Sequence, residues 1–259
     1  MTDITAVVLA AGLGSRLLPL TKSRPKCLIE IAETTILGNI LQTLFVAGIR
    51  NCIVVVGYMA DEVERYASSN SPVGMTVRFV FNSEYRTNGT ARSTALGIVA
   101  VDPTHDILLL EGDVFVDKRV ISLVASASIS STILAAYRPD LSGTFAWLND
   151  MGFVTKWMHE RQRPPRLSLL DAYKTVNISK FSAKDRAAYL AVALERAQLL
   201  FGKDAPFEFA AQIALAEMFA RIQGIVVSSL PWIEIDTVED YKEALRLFGH
   251  TNQYSGKPN

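Results

Sequence analysis

Cysteine, histidine and net charge are all scarce in this chain, and each shortage removes a class of function. Two cysteines, Cys27 and Cys52, are too few for a disulfide framework, and with His105, His159 and His250 they form no recognisable metal-ligand spacing. Both thiols are read as small core hydrophobes. Lys and Arg number 26, as do Asp and Glu, which removes the electrostatic footprint of a protein that coats nucleic acid or an anionic membrane. No apolar run approaches the roughly 18 to 20 residues that span a bilayer, and no basic stretch followed by a hydrophobic signal core opens the chain. The expectation is a cytoplasmic protein that meets small molecules, with neither nucleic acid nor membrane as partner and a homodimer left open. Internal repeats, low-complexity segments and domain linkers are also missing. The 259 residues, 49% of them hydrophobic, are therefore read as one domain over 1–250 with a polar, disordered tail over 251–259.

Two familiar phosphate loops are absent as well. A dinucleotide fingerprint needs a third glycine where Leu17 stands, and a Walker loop needs Gly-Lys-Ser/Thr after four spacers. What stands there instead is an apolar run, Val7-Val8-Leu9-Ala10, that stops at Ala11-Gly12-Leu13-Gly14-Ser15-Arg16. That pattern predicts a buried strand delivering a phosphate-binding loop. Gly12 and Gly14 allow close backbone approach and positive φ, so successive N–H groups can converge on phosphate oxygens. Arg16 contributes a planar fork and Lys26 a mobile point charge.

Alternation of strands and helices follows. Ile36, Leu37, Ile40, Leu41, Leu44 and Phe45 form a helical stripe capped by Thr34-Thr35 and stopped at Gly48. Strands are expected at Cys52–Val56, Thr76–Phe81 and from Asp106 to Asp113, with helices at Asp61–Ala67 and Thr90–Val101 between them. This predicts an α/β fold: a Rossmann-like, mixed, mainly parallel central sheet flanked by helices, with ligands beyond the carboxyl ends of the strands. Closely spaced strands at Thr132–Tyr137, Phe145–Leu148 and Gly152–Trp157 suggest hairpin-like additions. The segment from Arg161 to Arg166, with two prolines, reads as an exposed loop. A strand at Tyr173–Phe181, helices at Ala183–Leu200 and Phe207–Ile222, strands at Ile225–Leu230 and Trp232–Ile235, and a helix at Val238–Leu247 complete the chain.

Asp113 and Asp236 each close a strand, and hard oxygen ligands at two strand ends beside a phosphate loop suit Mg²⁺. The bland alternatives are a turn acid at Asp113 and a helix cap at Asp236. Asn82, Asn88, Gly89 and Thr90 precede a helix, where simple capping competes with recognition of a pyrimidine edge. Lys174 reads either as a phosphate contact or as a solvated strand residue. Trp147, Asp150, Tyr173, Trp232 and Glu234 are candidates for an amine pocket, with core aromatics and surface acids as the alternative.

The run from Leu9 to Leu28, Leu-Ala-Ala-Gly-x-Gly-x-Arg-x-x-Pro-Leu-Thr-x-x-x-Pro-Lys-x-Leu, resembles the opening of nucleotidyltransferases that make nucleoside-diphosphate sugars and CDP-alcohols. Glu111-Gly112-Asp113 and Glu234-Ile235-Asp236-Thr237 resemble the metal-carboxylate segments of cytidylyltransferases similar to those acting on phosphocholine and 2-aminoethylphosphonate. The resemblance implies a single GT-A-like domain in which Leu9, Ala11, Gly12, Leu13, Gly14, Ser15 and Glu111 contact CTP. It further implies that Lys26 and Arg16 act on phosphate, and that Asp113 and Asp236 hold Mg²⁺. The implied reaction joins CTP to a small phosphorylated or phosphonylated amine, such as phosphocholine, phosphoethanolamine or 2-aminoethylphosphonate, and releases pyrophosphate. A sugar-1-phosphate nucleotidyltransferase using UTP, dTTP or GTP is the rival enzyme, and a nucleotide-sensing subunit without catalysis is the rival of another class.

Overall fold

A computed structural model describes residues 2–249; the expected tail lies outside them. The chain opens with β1 (Ile4–Ala10), which enters the glycine loop. Next come the short pair β2 (Glu30–Ile31) and β3 (Thr34–Thr35), α1 (Ile36–Val46), β4 (Asn51–Val56), α2 (Ala60–Asn70), β5 (Thr76–Phe81), α3 (Thr90–Val99) and β6 (Asp106–Glu111). The second half comprises β7 (Val114–Val116), α4 (Lys118–Ala125), β8 (Ser131–Ala136), β9 (Phe145–Leu148), β10 (Val154–Met158) and β11 (Tyr173–Phe181). It ends with α5 (Ala183–Asp185), α6 (Ala191–Phe201), α7 (Phe207–Glu217), β12 (Gln223–Val226), β13 (Trp232–Glu234) and α8 (Val238–Phe248).

The main sheet runs β10-β9-β11-β6-β1-β4-β5, with β8 and β12 branching from β11. Strands β6, β1, β4 and β5 are all parallel, while β11 runs antiparallel to β6, β8 and β9. This is the expected mixed, mainly parallel α/β fold. Alternate residues of β1 supply the two cores. Ala6, Val8 and Ala10 pack with α1, α2, α4 and α8, whereas Val7 and Leu9 pack with α3, α6 and α7. Strands covered on both faces must be apolar on both faces, and β1 and β4 are.

Elements of the parallel half lie where their hydrophobic runs put them, and Thr35 caps α1 by accepting from the Gly38 N–H at 2.9 Å. The second half departs from expectation. The helix expected at Ala183–Leu200 is interrupted by a π turn at Arg186–Leu190, where the Arg186 guanidinium turns inward to donate to the Asp102 carbonyl. The helix expected to reach Ile222 stops at Glu217, because Phe219 takes a positive φ of 53°. No element was expected at α4, whose eight residues offer little more than two turns of pattern. Of the three closely spaced strands, β9 and β10 do form a hairpin, but β8 pairs with β11 and β12 instead. Among the described residues no helix is long and apolar enough to cross a membrane.

Candidate active site

A cavity of about 410 Å³ opens beyond the carboxyl ends of β1 and β6. Its first wall is the glycine loop. Gly14 has φ 63°, and a Cβ there would lie 2.9 Å from Thr21 Cγ2 and 3.0 Å from Lys26 Cβ. Glycine is needed at that point both for its conformation and for the passage of the Lys26 stem. Gly12 differs from expectation: its φ is not positive, and an added Cβ would meet no atom within 4 Å. Leu9, Gly12, Leu13, Gly14, Ser15 and Arg16 all line the cavity. Ala11 does not, its carbonyl instead accepting from the Tyr58 N–H at 3.1 Å.

The floor is built by two acidic segments that the backbone joins. Gly112 donates its N–H to the Leu9 carbonyl at 2.9 Å, an approach so close that a Cβ would sit 2.5 Å from that oxygen. Strand β13 pairs antiparallel with β7, aligning Glu234 with Val114, and Ile235 N–H donates to the Asp113 carbonyl. Glu111, Asp113, Glu234 and Asp236 are thereby brought together. Lys26 Nζ stands between two of them, donating to Asp113 Oδ2 and Asp236 Oδ1 at 2.7 Å each. Arg16 reaches the same Asp236 oxygen at 2.9 Å. Burial alone would depress the Lys26 ammonium, but the two carboxylates outweigh it and hold it well above the ordinary lysine range. Burial likewise works against ionised Asp236, and Lys26 with Arg16 overcomes it to hold that carboxyl low. Asp236 does not cap α8. Thr237 does, in a capping box with Asp240.

Opposite the loop, Lys174 is buried and donates to Glu234 Oε2 and the Thr175 carbonyl, both at 2.9 Å. It is not a solvated strand residue. Asn177, which sequence reasoning did not single out, sits in a register shift of β11 between Thr175 and Ser179 with φ 59°. Its amide Nδ2 lies 3.1 Å from both Glu111 Oε2 and Glu234 Oε1. An asparagine in mid-strand between Val176 and Ile178 is the available signal, since asparagine tolerates left-handed backbone better than other non-glycine residues. Glu208, in the first turn of α7, also lines the cavity and also went unread. Its signal is an acid flanked by Phe207 and Phe209. The crowding of acids is visible at Glu111, whose carboxyl is pushed well above the usual range by burial and by Glu208, Asp113 and Glu234. Burial also raises Glu234, with Lys174 partly offsetting it.

Other expected site residues lie elsewhere. Gly89 and Thr90 line the cavity, though Thr90 Oγ1 accepts from the Phe207 N–H at 2.8 Å rather than capping α3. Asn82 is buried between Ser93 and the Glu84 N–H, and Asn88 donates to Glu84; neither side chain lines the cavity. The expected amine pocket is not assembled. Trp147 lies in the β9–β10 hairpin beneath Lys156 Nζ, 4.7 Å from its ring centre. Asp150 is exposed at that hairpin's turn. Tyr173 packs on one core and Trp232 on the other. From the loop expected to be exposed, Arg161 reaches the cavity rim and pairs with Asp204 at 3.1 Å.

A family model described as Nucleotidyl transferase matches residues 5–139. The chain belongs to that family. It is 30% identical over 243 residues to CMP-5'-(3-aminopropyl)phosphonate synthase of Streptomyces rubellomurinus, covering 93% of this chain and 38% of that one. The chain thus spans about two fifths of that relative's length. It is 30% identical over 189 residues to 2-aminoethylphosphonate cytidylyltransferase of Lancefieldella rimae, covering 70% of this chain and 68% of the other. The fold is similar to that of CTP:phosphocholine cytidylyltransferase from Streptococcus pneumoniae, with TM-score 0.76 at 20% identity over 94% and 98% of the two chains.

Proposed function

We propose that this protein is a Mg²⁺-dependent cytidylyltransferase, joining CTP to a small phosphonylated or phosphorylated amine to give a CMP- or CDP-linked product and pyrophosphate. The observation that carries the reading is Lys26, threaded past Gly14 into the gap between Asp113 and Asp236 at the mouth of a phosphate loop. Nucleotidyl transfer asks little covalent chemistry of a protein. It asks for alignment and for positive charge where negative charge develops. The loop's N–H groups and Arg16 would hold the triphosphate, and Lys26 would stand beside the phosphorus that is attacked. The names of relatives aligned over most of this chain support cytidine and an aminoalkylphosphonate acceptor.

The donor set fits a divalent cation. Asp113 Oδ1 is buried without a hydrogen-bond partner, and Glu111, Asp113 and Glu234 can each offer an oxygen within 4.8 Å of the others. Asp113 and Asp236 would hold Mg²⁺, with Glu111 and Glu234 at hand; when bound, the ion would neutralise charge on the triphosphate. Gly89 and Thr90 would border the base, while Asn82 and Asn88 would support that loop from behind. The test is pyrophosphate release from each of the four nucleoside triphosphates against 2-aminoethylphosphonate, phosphoethanolamine, phosphocholine and glucose-1-phosphate, with and without chelator. CTP with an amine acceptor is expected to win and chelator to abolish turnover. Preference for glucose-1-phosphate with another nucleotide would replace this reading by the sugar-nucleotide one.

A further inference from the structure

Resting on that reading, we propose that Glu208 recognises the acceptor's amine and that this amine is a primary alkylammonium rather than a quaternary one. Glu208 is only 7% exposed, yet it lines the cavity. Its Oε1 accepts from Thr144 Oγ1 at 3.1 Å, and its Oε2, also buried, has no hydrogen-bond partner. The neighbouring acids each have a cation or amide partner, Asp113 through Oδ2 and Asp236 through Oδ1 with Lys26, Glu234 with Lys174, and Glu111 with the Asn177 amide. Glu208 has no lysine or arginine within ion-pair distance among the described residues. A buried carboxylate oxygen without a donor is costly until one reaches it, and a ligand ammonium supplies both donor and charge.

The rest of the lining chooses between ammonium types. No phenylalanine, tyrosine or tryptophan among the described residues lines the cavity. A trimethylammonium has no N–H and depends on aromatic faces, whereas a primary ammonium carries three donors suited to carboxylate and hydroxyl oxygens. One rival account of Glu208 exists in the structure. A second cavity of about 10 Å³, room for one water, touches both Glu208 and Trp157. Trp157 Nε1 is likewise buried and unpartnered. A water joining the two would make Glu208 a purely structural residue.

The experiment compares kcat/KM with CTP for 2-aminoethylphosphonate, its N,N,N-trimethyl analogue and ethylphosphonate, in the full chain and in Glu208→Gln. The primary amine is expected to lead the wild-type series by at least tenfold. Glu208→Gln is expected to lower its kcat/KM roughly ten- to hundredfold, the weight of a charge-assisted hydrogen bond, through KM, and to narrow its lead over ethylphosphonate by at least tenfold. Equal losses on both acceptors would make the role structural and overturn the proposal. So would a wild-type enzyme that treats the three alike or prefers the trimethyl compound, and that result needs no variant to fold. Transfer from UTP, dTTP or GTP instead of CTP, with the amine preference intact, would sink the cytidine reading and leave Glu208 standing. If no triphosphate is used, calorimetric binding of 2-aminoethylphosphonate against ethylphosphonate decides. Tighter binding of the amine that Glu208→Gln removes sustains the proposal, and equal binding ends it.

Discussion

Lys26 and Lys174 enter one cavity from opposite halves of the fold, and the halves hold them differently. Lys26 comes from a loop after the first parallel strand, keeps 14% of its side chain exposed, and lies between two carboxylates that are themselves about a fifth exposed. Lys174 comes from the antiparallel half, keeps 3%, and is held by one carboxylate and one carbonyl. One partner of each, Asp236 for Lys26 and Glu234 for Lys174, belongs to one segment two residues apart, as period-two alternation at a strand end requires. The first lysine is positioned to exchange partners with ligand charge. The second is a fixed strut: burial works against its charge, and Glu234, with Glu208 and Glu111, outweighs burial and holds the ammonium above the ordinary lysine range.

The largest expected effect follows at Lys26. Lys26→Ala should lower kcat roughly 10²- to 10³-fold, the usual loss when a preorganised charge is removed from developing oxyanions. It should also destabilise the ligand-free protein, because Asp113 loses its cation while facing Asp236, which keeps only the exposed Arg16. Thermal unfolding with chelator and with Mg²⁺ checks this: the cation should raise the melting temperature of Lys26→Ala more than that of wild type. Equal shifts would remove Lys26 from the charge balance of the proposed metal site.

Next in size is Lys174→Met, which keeps volume and removes charge. Leaving Glu234 buried without its cation should cost about 3–5 kcal/mol in chemical denaturation, and Glu234→Gln in the same chain should recover part of it. A loss under about 1 kcal/mol would mean that Lys174 behaves as a surface residue, and the contrast with Lys26 would collapse.

The two halves also differ in how much of them can be read from residues alone. In the parallel half, Val7–Ala10, Cys52–Val56 and Ile107–Leu110 are continuous apolar runs because helices cover both faces, and their ends mark the cavity. Gly14, Arg16, Lys26, Asp113 and Asp236 could be named because loop and strand-end chemistry is local. Glu208 and Asn177 carry fainter signals, since their places at the cavity rest on contacts across about 65 residues of chain, Glu208 with Thr144 and Asn177 with Glu111. Trp147 and Trp232 misled for the matching reason. An aromatic on a strand looks the same whether its face meets a cavity, a core, as at Trp232, or a lysine side chain, as at Trp147.

Gly14→Ala tests whether the loop's shape is as local as its motif. Positive φ and contacts at 2.9 and 3.0 Å oppose a methyl group, so a cost of roughly 1–3 kcal/mol is expected. Activity should fall with it, because Lys26 is one of the two neighbours that must move. Gly12→Ala, with open space around it, should fold as wild type. Calorimetry of the two variants separates these outcomes, and equal destabilisation would mean that Gly12 also carries strain.

The smallest effect expected is at the thiols, and it asks whether the loop moves with the sheet beneath it. Cys27 lies beside Lys26 at the cavity and Cys52 within β4, and burial pushes both thiols up to about 12. For an acid raised in the folded state, the stabilising contribution is complete below its ordinary value near 9.0 and declines as pH climbs toward 12. At pH 8 thiolate is therefore scarce, and alkylation should proceed only through unfolding. If the loop and the parallel sheet open as one unit, Cys27 and Cys52 should react at one shared slow rate that rises with denaturant as global unfolding does. Mass spectrometry of iodoacetamide-treated protein reads both sites in one experiment. Faster labelling at Cys27 alone would show that the loop opens over an intact sheet, and Lys26 would then be held by a mobile segment instead of by the fold.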